Sequence, residues 1–171
     1  RLIGDDGTFT LKLQDKKNID QWLTKYPSNQ RQSAVLYALK IVQAENKGWL
    51  TESLMDAVAA YLGMPKIAVY EVATFYNLFE LKPVGKHKIS VCTNISCMLC
   101  DSEGIVQYLK KRLGVKMGET TPDGQFTLKE VECLAACGGA PAVQIDGVYH
   151  EKVTPEKLEA ILSELSELRD D

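Results

Sequence analysis

The sequence of 171 residues lacks the features by which several classes of protein are recognised. A membrane-spanning helix needs about 20 consecutive apolar residues, whereas the longest apolar stretches here are Ala57 to Leu62 and Ile67 to Val69. No long run of Lys and Arg occurs and the net charge is only -3, so we expect no nucleic-acid binding and no direct insertion into a membrane. Residues 1–10 contain no apolar h-region, so we expect no secretion signal.

Nucleotide-binding motifs are also missing. The chain has no Gly-x-Gly-x-x-Gly loop and no Walker sequence, so we expect no site for NADH, flavin or a nucleotide phosphate. No nucleophile stands beside a base in a recognisable pattern, and we therefore predict no catalytic residue. The two histidines, His87 and His150, share no ligand spacing with the cysteines, and we expect both on the surface at strand ends.

The first half of the chain has the punctuation of a helical bundle. Apolar side chains recur at helical spacing, as at Val35, Leu39 and Val42. Thr51 is a candidate N-cap, and Gly63 is a candidate helix end. We predict four helices, which cover Asp20–Tyr26, Ser28 to about Lys47, Glu52–Leu62 and Lys66–Phe79.

The fourth predicted helix, Lys66–Phe79, is unusually apolar. Pro65 suits its first turn, because the fixed φ of proline fits there and the missing N–H is not needed. The apolar side chains are spread around much of the helix circumference, which is typical of a helix buried on several sides. We therefore favour a central position in the bundle over an exposed face for a partner, and different faces of the helix can also serve both roles.

The second half changes to alternating strands and helices after a linker at Leu81–Lys88. The Asp146-Gly147 dipeptide is a strong hairpin signal. We predict strands at Lys88–Val91, Phe126–Val131, Ala142–Ile145 and Val148–His150, and helices at Ser102–Leu113 and from Thr154-Pro155 to about Leu168. The sequence thus predicts an α+β protein, with an N-terminal α-helical bundle in residues 1–82 and a small α/β sheet domain in residues 83–171.

All five cysteines fall between Cys92 and Cys137. The odd number excludes complete disulfide pairing, and in a chain without a secretion signal cysteines are better interpreted as metal ligands or reactive thiols. The chemistry of the protein is therefore expected in its second half.

Four of the cysteines form two pairs, and each pair follows a predicted strand. Cys92 and Cys97 are separated by four residues, and Cys133 and Cys137 by three. If the two strands are neighbours in one sheet, the loops meet at one end and four thiolates converge. Four thiolates suit a [2Fe–2S] cluster or a zinc ion. Structural zinc sites prefer tight Cys-x2-Cys turns, so the looser spacing favours iron and sulfide.

Cys100 leaves two alternatives open. Cys92-x4-Cys97-x2-Cys100 has the local spacing of plant-type ferredoxins, which need one further, distant cysteine. Cys97-Met98-Leu99-Cys100 is also a Cys-x-x-Cys arrangement of the kind that exchanges thiols and disulfides. The first alternative uses only one distal cysteine, and the second leaves Cys133 and Cys137 without a role.

The residues after Cys137 suit a cluster. We expect Gly138-Gly139 to let the backbone approach the cluster and to point N–H groups at sulfur. We also expect the helix that begins near Ser102 to aim its positive end towards Cys97.

Several longer motifs resemble a known family. They are Val91-Cys92-Thr93-Asn94-Ile95-Ser96-Cys97, Gly118-Glu119-Thr120-Thr121-Pro122-Asp123-Gly124, Val131-Glu132-Cys133-Leu134-Ala135-Ala136-Cys137 and Ala140-Pro141, with Glu71-Val72-Ala73-Thr74-Phe75-Tyr76 in the first half. From about Ile19 to Leu165 the chain closely resembles the 24-kDa subunit family of respiratory NADH:quinone oxidoreductase (complex I), whose bacterial members are called the E subunit.

The resemblance implies a helical bundle followed by a thioredoxin-like domain that carries one [2Fe–2S] cluster. Carried over position by position, the ligands are Cys92, Cys97, Cys133 and Cys137, and Cys100 is a bystander. The implied function is that of an electron-transfer subunit, which belongs to an enzyme only as part of the complex.

The resemblance also implies the partners. FMN and NADH are expected only in the neighbouring flavin/NADH-binding subunit, and other peripheral-arm subunits of complex I complete the assembly. The implied location is the bacterial cytoplasm, peripheral to the inner membrane through the complex. Similar modules occur in NAD-reducing hydrogenases and NAD-dependent formate dehydrogenases, which are the alternative.

One departure from the family concerns the second cysteine loop. The family commonly has Cys-Leu-Gly-x-Cys, and this chain has Ala135 in place of the glycine. We expect a small cost, on the condition that Ala135 adopts a negative φ.

Overall fold

The computed structural model describes residues 11–167. The expectation for residues 1–10 and the predicted helix end at Leu168 lie outside the described residues. The chain divides into two compact units, one that ends at Pro83 and one that begins at Val84.

The first unit is a helical bundle, as predicted. It contains α1 (Leu13–Leu23), a short 3-10 helix (Arg31–Ala34), α2 (Val35–Glu45), α3 (Glu52–Leu62) and α4 (Lys66–Phe75). The core is apolar, and its largest fully buried side chains are Ile19, Leu39, Leu50, Leu54, Val42, Val58 and Val69. Burial of these side chains is the main stabilising contribution to the unit.

The caps explain where the helices begin and end. The Thr51 side chain accepts a hydrogen bond from the Leu54 amide at 3.2 Å, and Gly63 closes α3 in the left-handed conformation, as predicted. The predicted helix starts at Asp20 and Ser28 are wrong. α1 begins before Asp20, and Ser28 lies in a turn that precedes the 3-10 helix.

α4 is shorter than predicted and is buried on one face only. The helix ends at Phe75, because Tyr76 adopts an extended conformation, and only Val69 and Ala73 are buried in it. Large apolar side chains of the helix are exposed, with Ile67 at 64% and Phe75 at 78%. The apolar residues spread around the helix therefore serve two faces, of which one packs into the bundle and the other lies open.

The second unit is built on a four-stranded sheet. The strands are β1 (His87–Cys92), β2 (Phe126–Val131), β3 (Val143–Ile145) and β4 (Val148–His150), and the helices are α5 (Ile95–Leu99), α6 (Ser102–Leu113) and α7 (Pro155–Glu167). The strand order is β2-β1-β3-β4, with β1 and β2 parallel and the other pairs antiparallel. The predicted α+β class is confirmed. No helix within residues 11–167 is long and apolar enough to cross a bilayer.

The sheet explains the β3–β4 hairpin and the burial of His87, which we expected on the surface. Asp146 and Gly147 both have positive φ, as a tight turn between β3 and β4 requires. Asp146 also accepts hydrogen bonds from His87, at 2.6 Å, and from the Lys88 amide, at 2.8 Å. His87 lies at a strand end as expected, but it is buried rather than on the surface, because its ring packs beside Phe126.

Candidate metal centre

The parallel pairing of β1 and β2 brings the two cysteine loops together. Cys92 is the register partner of Val131, and both residues end their strands. The carboxyl ends of parallel neighbours lie at the same edge of a sheet. The Thr93 amide extends the pairing with a hydrogen bond to the Val131 carbonyl at 3.4 Å. The predicted adjacency of the loops after Cys92 and before Cys133 is therefore confirmed.

A short helix that the sequence did not predict positions Cys97. Asn94 caps α5, since its side chain accepts a hydrogen bond from the Ile95 amide at 2.8 Å. Cys97 falls on the inner face of this single turn and is only 2% exposed, whereas Leu99 is 79% exposed. An asparagine immediately before a short apolar run is a common N-cap signal, and it was the available clue to this helix.

The buried cysteines lie in a small apolar cluster of their own. The cluster consists of Cys92, Cys97, Val131, Leu134 and Ala142. The Cys92 amide donates to the Ala142 carbonyl at 3.2 Å. This packing ties the strand end to the residues that follow the second cysteine pair.

Thiols of both cysteine pairs influence the pKa of Cys97. Burial raises the pKa of the Cys97 thiol, and a backbone hydrogen bond with Ala142 acts in the opposite direction. A hydrogen bond with Cys92 and the charges of Cys92 and Cys137 raise this pKa further. Members of both cysteine pairs therefore interact with one thiol, and binding of iron would stabilise the thiolate form that burial disfavours.

Cys133 and Cys137 are exposed, unlike the first pair. The buried Leu134 anchors the loop between them, and the Ala135 amide donates a hydrogen bond to the Cys133 sulfur at 3.2 Å. Cys137 begins a short 3-10 turn that continues to Gly139. One pair of thiols is thus held in the interior, and the other lies on a surface loop.

The expected negative φ of Ala135 is wrong. Its φ is 55°, in the left-handed region. An L-residue other than glycine is destabilised by about 1–2 kcal/mol in this region, because Cβ approaches the carbonyl oxygen. A glycine at this position would adopt the same conformation without this cost.

The role expected of Gly139 is also wrong. Its amide donates to the Ala136 carbonyl at 3.0 Å and is therefore not directed at sulfur. A Cβ on Gly139 would lie 2.3 Å from Cδ of Glu151, so the glycine makes room for that side chain. A Cβ on Gly138 would meet nothing within 4 Å.

Cys100 and the N-terminus of α6 have different surroundings from those of Cys92 and Cys97. Cys100 follows α5, is exposed and lies outside the apolar cluster of Cys92 and Cys97. The N-terminus of α6 is capped by Asp101, whose side chain accepts a hydrogen bond from the Gly104 amide at 3.2 Å. A carboxylate thus occupies the helix end that we expected to act on Cys97.

The donor set suits an iron–sulfur cluster. Four thiols from two loops supply soft ligands, and the apolar cluster on one side limits access of water. Within residues 11–167, no three His, Cys, Asp or Glu side chains are arranged around a single metal ion.

The match to a family model defines the class of protein. A model described as thioredoxin-like [2Fe–2S] ferredoxin matches residues 19–166. The chain belongs to this family and carries one [2Fe–2S] cluster.

Individual relatives are more specific. The chain is 47% identical over 154 residues to the E subunit of NADH-quinone oxidoreductase from Rickettsia bellii, a match that covers 88% of this chain and 92% of the relative. It is 44% identical over 147 residues to an E subunit of NADH-quinone oxidoreductase from Rhizobium meliloti, with 86% of both chains covered.

One solved structure supports the fold. A chain of an NAD+-reducing [NiFe]-hydrogenase in the H2-reduced state matches with a TM-score of 0.67 and 17% identity. The match covers 77% of this chain and 22% of the hydrogenase chain. At this level of identity the likeness concerns the fold.

Proposed function

We propose that this chain is the electron-transfer subunit of a bacterial NADH-quinone oxidoreductase. The observation that carries the proposal is the meeting of two cysteine loops at the shared end of β1 and β2. Relatives named as the E subunit of that enzyme, at 44–47% identity across most of both chains, support it. The chain takes part in the enzyme as an electron carrier.

In this proposal Cys92, Cys97, Cys133 and Cys137 are the four ligands, and Cys100 is not. The loops of both pairs lie at the shared end of β1 and β2, and Cys92 and Cys137 both raise the pKa of Cys97, which supports a shared site. Bound there, a [2Fe–2S] cluster accepts and releases one electron at a time. The protein holds the thiolates, shields one side with the apolar cluster and leaves the other side accessible.

The electron donor is proposed to be a flavin in the neighbouring NADH-binding subunit. The sequence contains no phosphate-binding loop of its own. The exposed apolar residues in and after α4 are a candidate docking face for that subunit, and we call them the α4 surface. It consists of Ile67, Phe75, Tyr76 and Leu78. Large apolar and aromatic residues of this kind are enriched in the buried centres of interfaces.

Further parts of the assembly follow from the same proposal. Other peripheral-arm subunits complete the complex, and the chain is expected in the cytoplasm, attached to the inner membrane only through the complex. The same role in an NAD-reducing hydrogenase or an NAD-dependent formate dehydrogenase is the second candidate. The two E-subunit relatives favour the first.

Purification of the native complex from its host tests the proposal. The chain should copurify with an NADH-binding flavoprotein and with NADH:quinone reductase activity. Copurification with hydrogenase or formate dehydrogenase activity instead would support the second candidate. A purified chain with zinc and without iron or acid-labile sulfide would contradict both.

A further inference from the structure

An acidic side chain lies over the end of the second cysteine loop. Gly139 is buried, and it ends the 3-10 turn that begins at Cys137. A Cβ on Gly139 would lie 2.3 Å from Cδ and 2.4 Å from Oε2 of Glu151. Both distances are much shorter than a van der Waals contact. The Glu151 carboxylate therefore occupies the space directly over the Gly139 backbone, two residues after Cys137.

Backbone hydrogen bonds hold the segment of Glu151 against this loop. The Lys152 amide donates to the Gly139 carbonyl at 2.7 Å, and the Val153 amide donates to the Pro141 carbonyl at 3.1 Å. The residues that follow Glu151 are thus fixed to the residues that follow the second cysteine pair. The carboxylate is placed by the backbone of its own segment as well as by the space over Gly139.

A nearby cation balances the charge of Glu151 only in part. The Lys157 ammonium donates a hydrogen bond at 2.7 Å, and its acceptor is the backbone carbonyl of Glu151 rather than the carboxylate. Glu151 is exposed to solvent on its outer side. A negative charge therefore remains beside the loop that carries two of the proposed ligands.

We propose that the Glu151 carboxylate lowers the reduction potential of the cluster by placing a negative charge beside the Cys133–Cys137 loop. The inference rests on the proposed function, because it takes the two cysteines of this loop to be ligands. Reduction adds one electron, which a reduced flavin supplies, and it breaks no bond. The added charge is negative, so a neighbouring carboxylate destabilises the reduced form more than the oxidised form.

The expected size of the effect follows from Coulomb's law. Two unit charges on the order of 10 Å apart at a hydrated surface change an equilibrium constant by about twofold to fivefold. A tenfold change in a one-electron couple corresponds to about 59 mV, so this range corresponds to about 20 to 40 mV. Salt screens exposed charges, because the Debye length falls from about 10 Å at 0.1 M to about 3 Å at 1 M ionic strength. The contribution of Glu151 should therefore shrink as salt is added.

Glu151→Gln tests the proposal in the full chain with its cluster. The variant removes the charge and keeps nearly the same side-chain shape over Gly139. In a redox titration followed by EPR at low salt, the potential should rise by about 20 to 40 mV. Most of this rise should be lost at about 1 M salt.

The matched control is Glu164→Gln, which removes an exposed carboxylate from the same unit, roughly 13 Å beyond the start of α7. Its potential should equal that of the parent. An assembled cluster with an unchanged potential in Glu151→Gln, or an equal rise in both variants, would overturn the inference, while the ligand assignment would stand. A chain that purifies without iron would contradict the proposed function and this inference with it.

Gly139→Ala tests the same charge by a second route. The φ of Gly139 lies outside the left-handed region, so its backbone accepts an alanine, and the new Cβ should displace the flexible Glu151 side chain from the loop. The potential should rise as it does in Glu151→Gln. When Glu151→Gln is already present, Gly139→Ala should add no further rise, because no charge is left to displace. Equal effects of Gly139→Ala in both backgrounds would show that the alanine acts through packing and would contradict the inference.

Discussion

Cys92 pairs with Val131 at the last position of the parallel ladder between β1 and β2. From this point the chain turns through α5 to Cys97 on one side and through the Cys133–Cys137 loop on the other. The ladder therefore brings the two cysteine pairs to one edge of the sheet. No local motif could do this, because the pairs are far apart in sequence.

Replacement of single cysteines with serine should separate ligands from bystanders. Cys92→Ser, Cys97→Ser, Cys133→Ser and Cys137→Ser should each abolish or strongly change the visible spectrum and the EPR signal of the reduced protein. Cys100→Ser is the matched control, because it removes an exposed thiol from the same region, and it should leave both signals intact. Loss of the cluster in Cys100→Ser, or an unchanged cluster in Cys133→Ser, would refute the ligand set.

The purified chain alone should neither bind nor oxidise NADH. The reason is the lack of a phosphate-binding loop in the sequence. In stopped-flow mixing, the absorbance of the oxidised cluster should persist after NADH is added and should fall only when the flavin-bearing subunit is present. Rapid bleaching by NADH in the absence of that subunit would reveal a site in this chain.

Substitution of Phe75 should weaken assembly without unfolding the bundle. Phe75 is 78% exposed, so Phe75→Ser removes little core packing. As a central aromatic contact of an interface, it should contribute about 2 kcal/mol, which is roughly a thirtyfold loss of affinity for the flavin-bearing subunit. Affinity is measured with the purified subunits.

The control for this experiment is Leu13→Ser in α1. Leu13 is 71% exposed, comparable with Phe75, but it lies outside the α4 surface. Leu13→Ser should retain full affinity. Equal losses in both variants, or none in Phe75→Ser, would exclude the α4 surface as the docking face.

Asp15 should make the stability of the helical unit depend on pH. It is 3% exposed, and its Oδ2 atom has no hydrogen-bond partner among residues 11–167. Burial, followed by the charge of Glu45, raises the pKa of Asp15 above its ordinary value of 3.8. The folded state therefore binds this proton more tightly than the unfolded state, and the free energy of unfolding should rise as the pH falls through the folded pKa towards 3.8.

Asp15→Asn tests this dependence. The variant should be more stable than the parent at pH 7 by about 1 kcal/mol or less, because no charge is buried. The advantage should shrink as the pH is lowered. Urea unfolding can be followed by the fluorescence of Trp22 and Trp49, which are the two tryptophans of the chain and lie in the helical unit. A stability difference that is independent of pH would contradict the assignment to Asp15.

Local signals in the sequence determined many of the elements. Thr51 and Gly63 mark the two ends of α3, because an N-cap and a left-handed glycine act within one turn of the chain. The limits of β2 and α6 followed in the same way from turn residues and periodicity. The sequence also determined the pairing of the cysteines into two loops and the family resemblance, since both depend on residue identity and spacing.

The tertiary structure alone decided the features that depend on neighbours distant in sequence. Apolar composition could not distinguish the buried face of α4 from the exposed face, because composition is the same whichever side meets the bundle. Burial of His87 depends on Phe126 and Asp146, which are distant in sequence and lie beside it in the fold, and residue type alone does not predict a left-handed φ at an alanine such as Ala135. Residue type determines which conformations are allowed at each position, and only packing in three dimensions selects the one that the chain adopts.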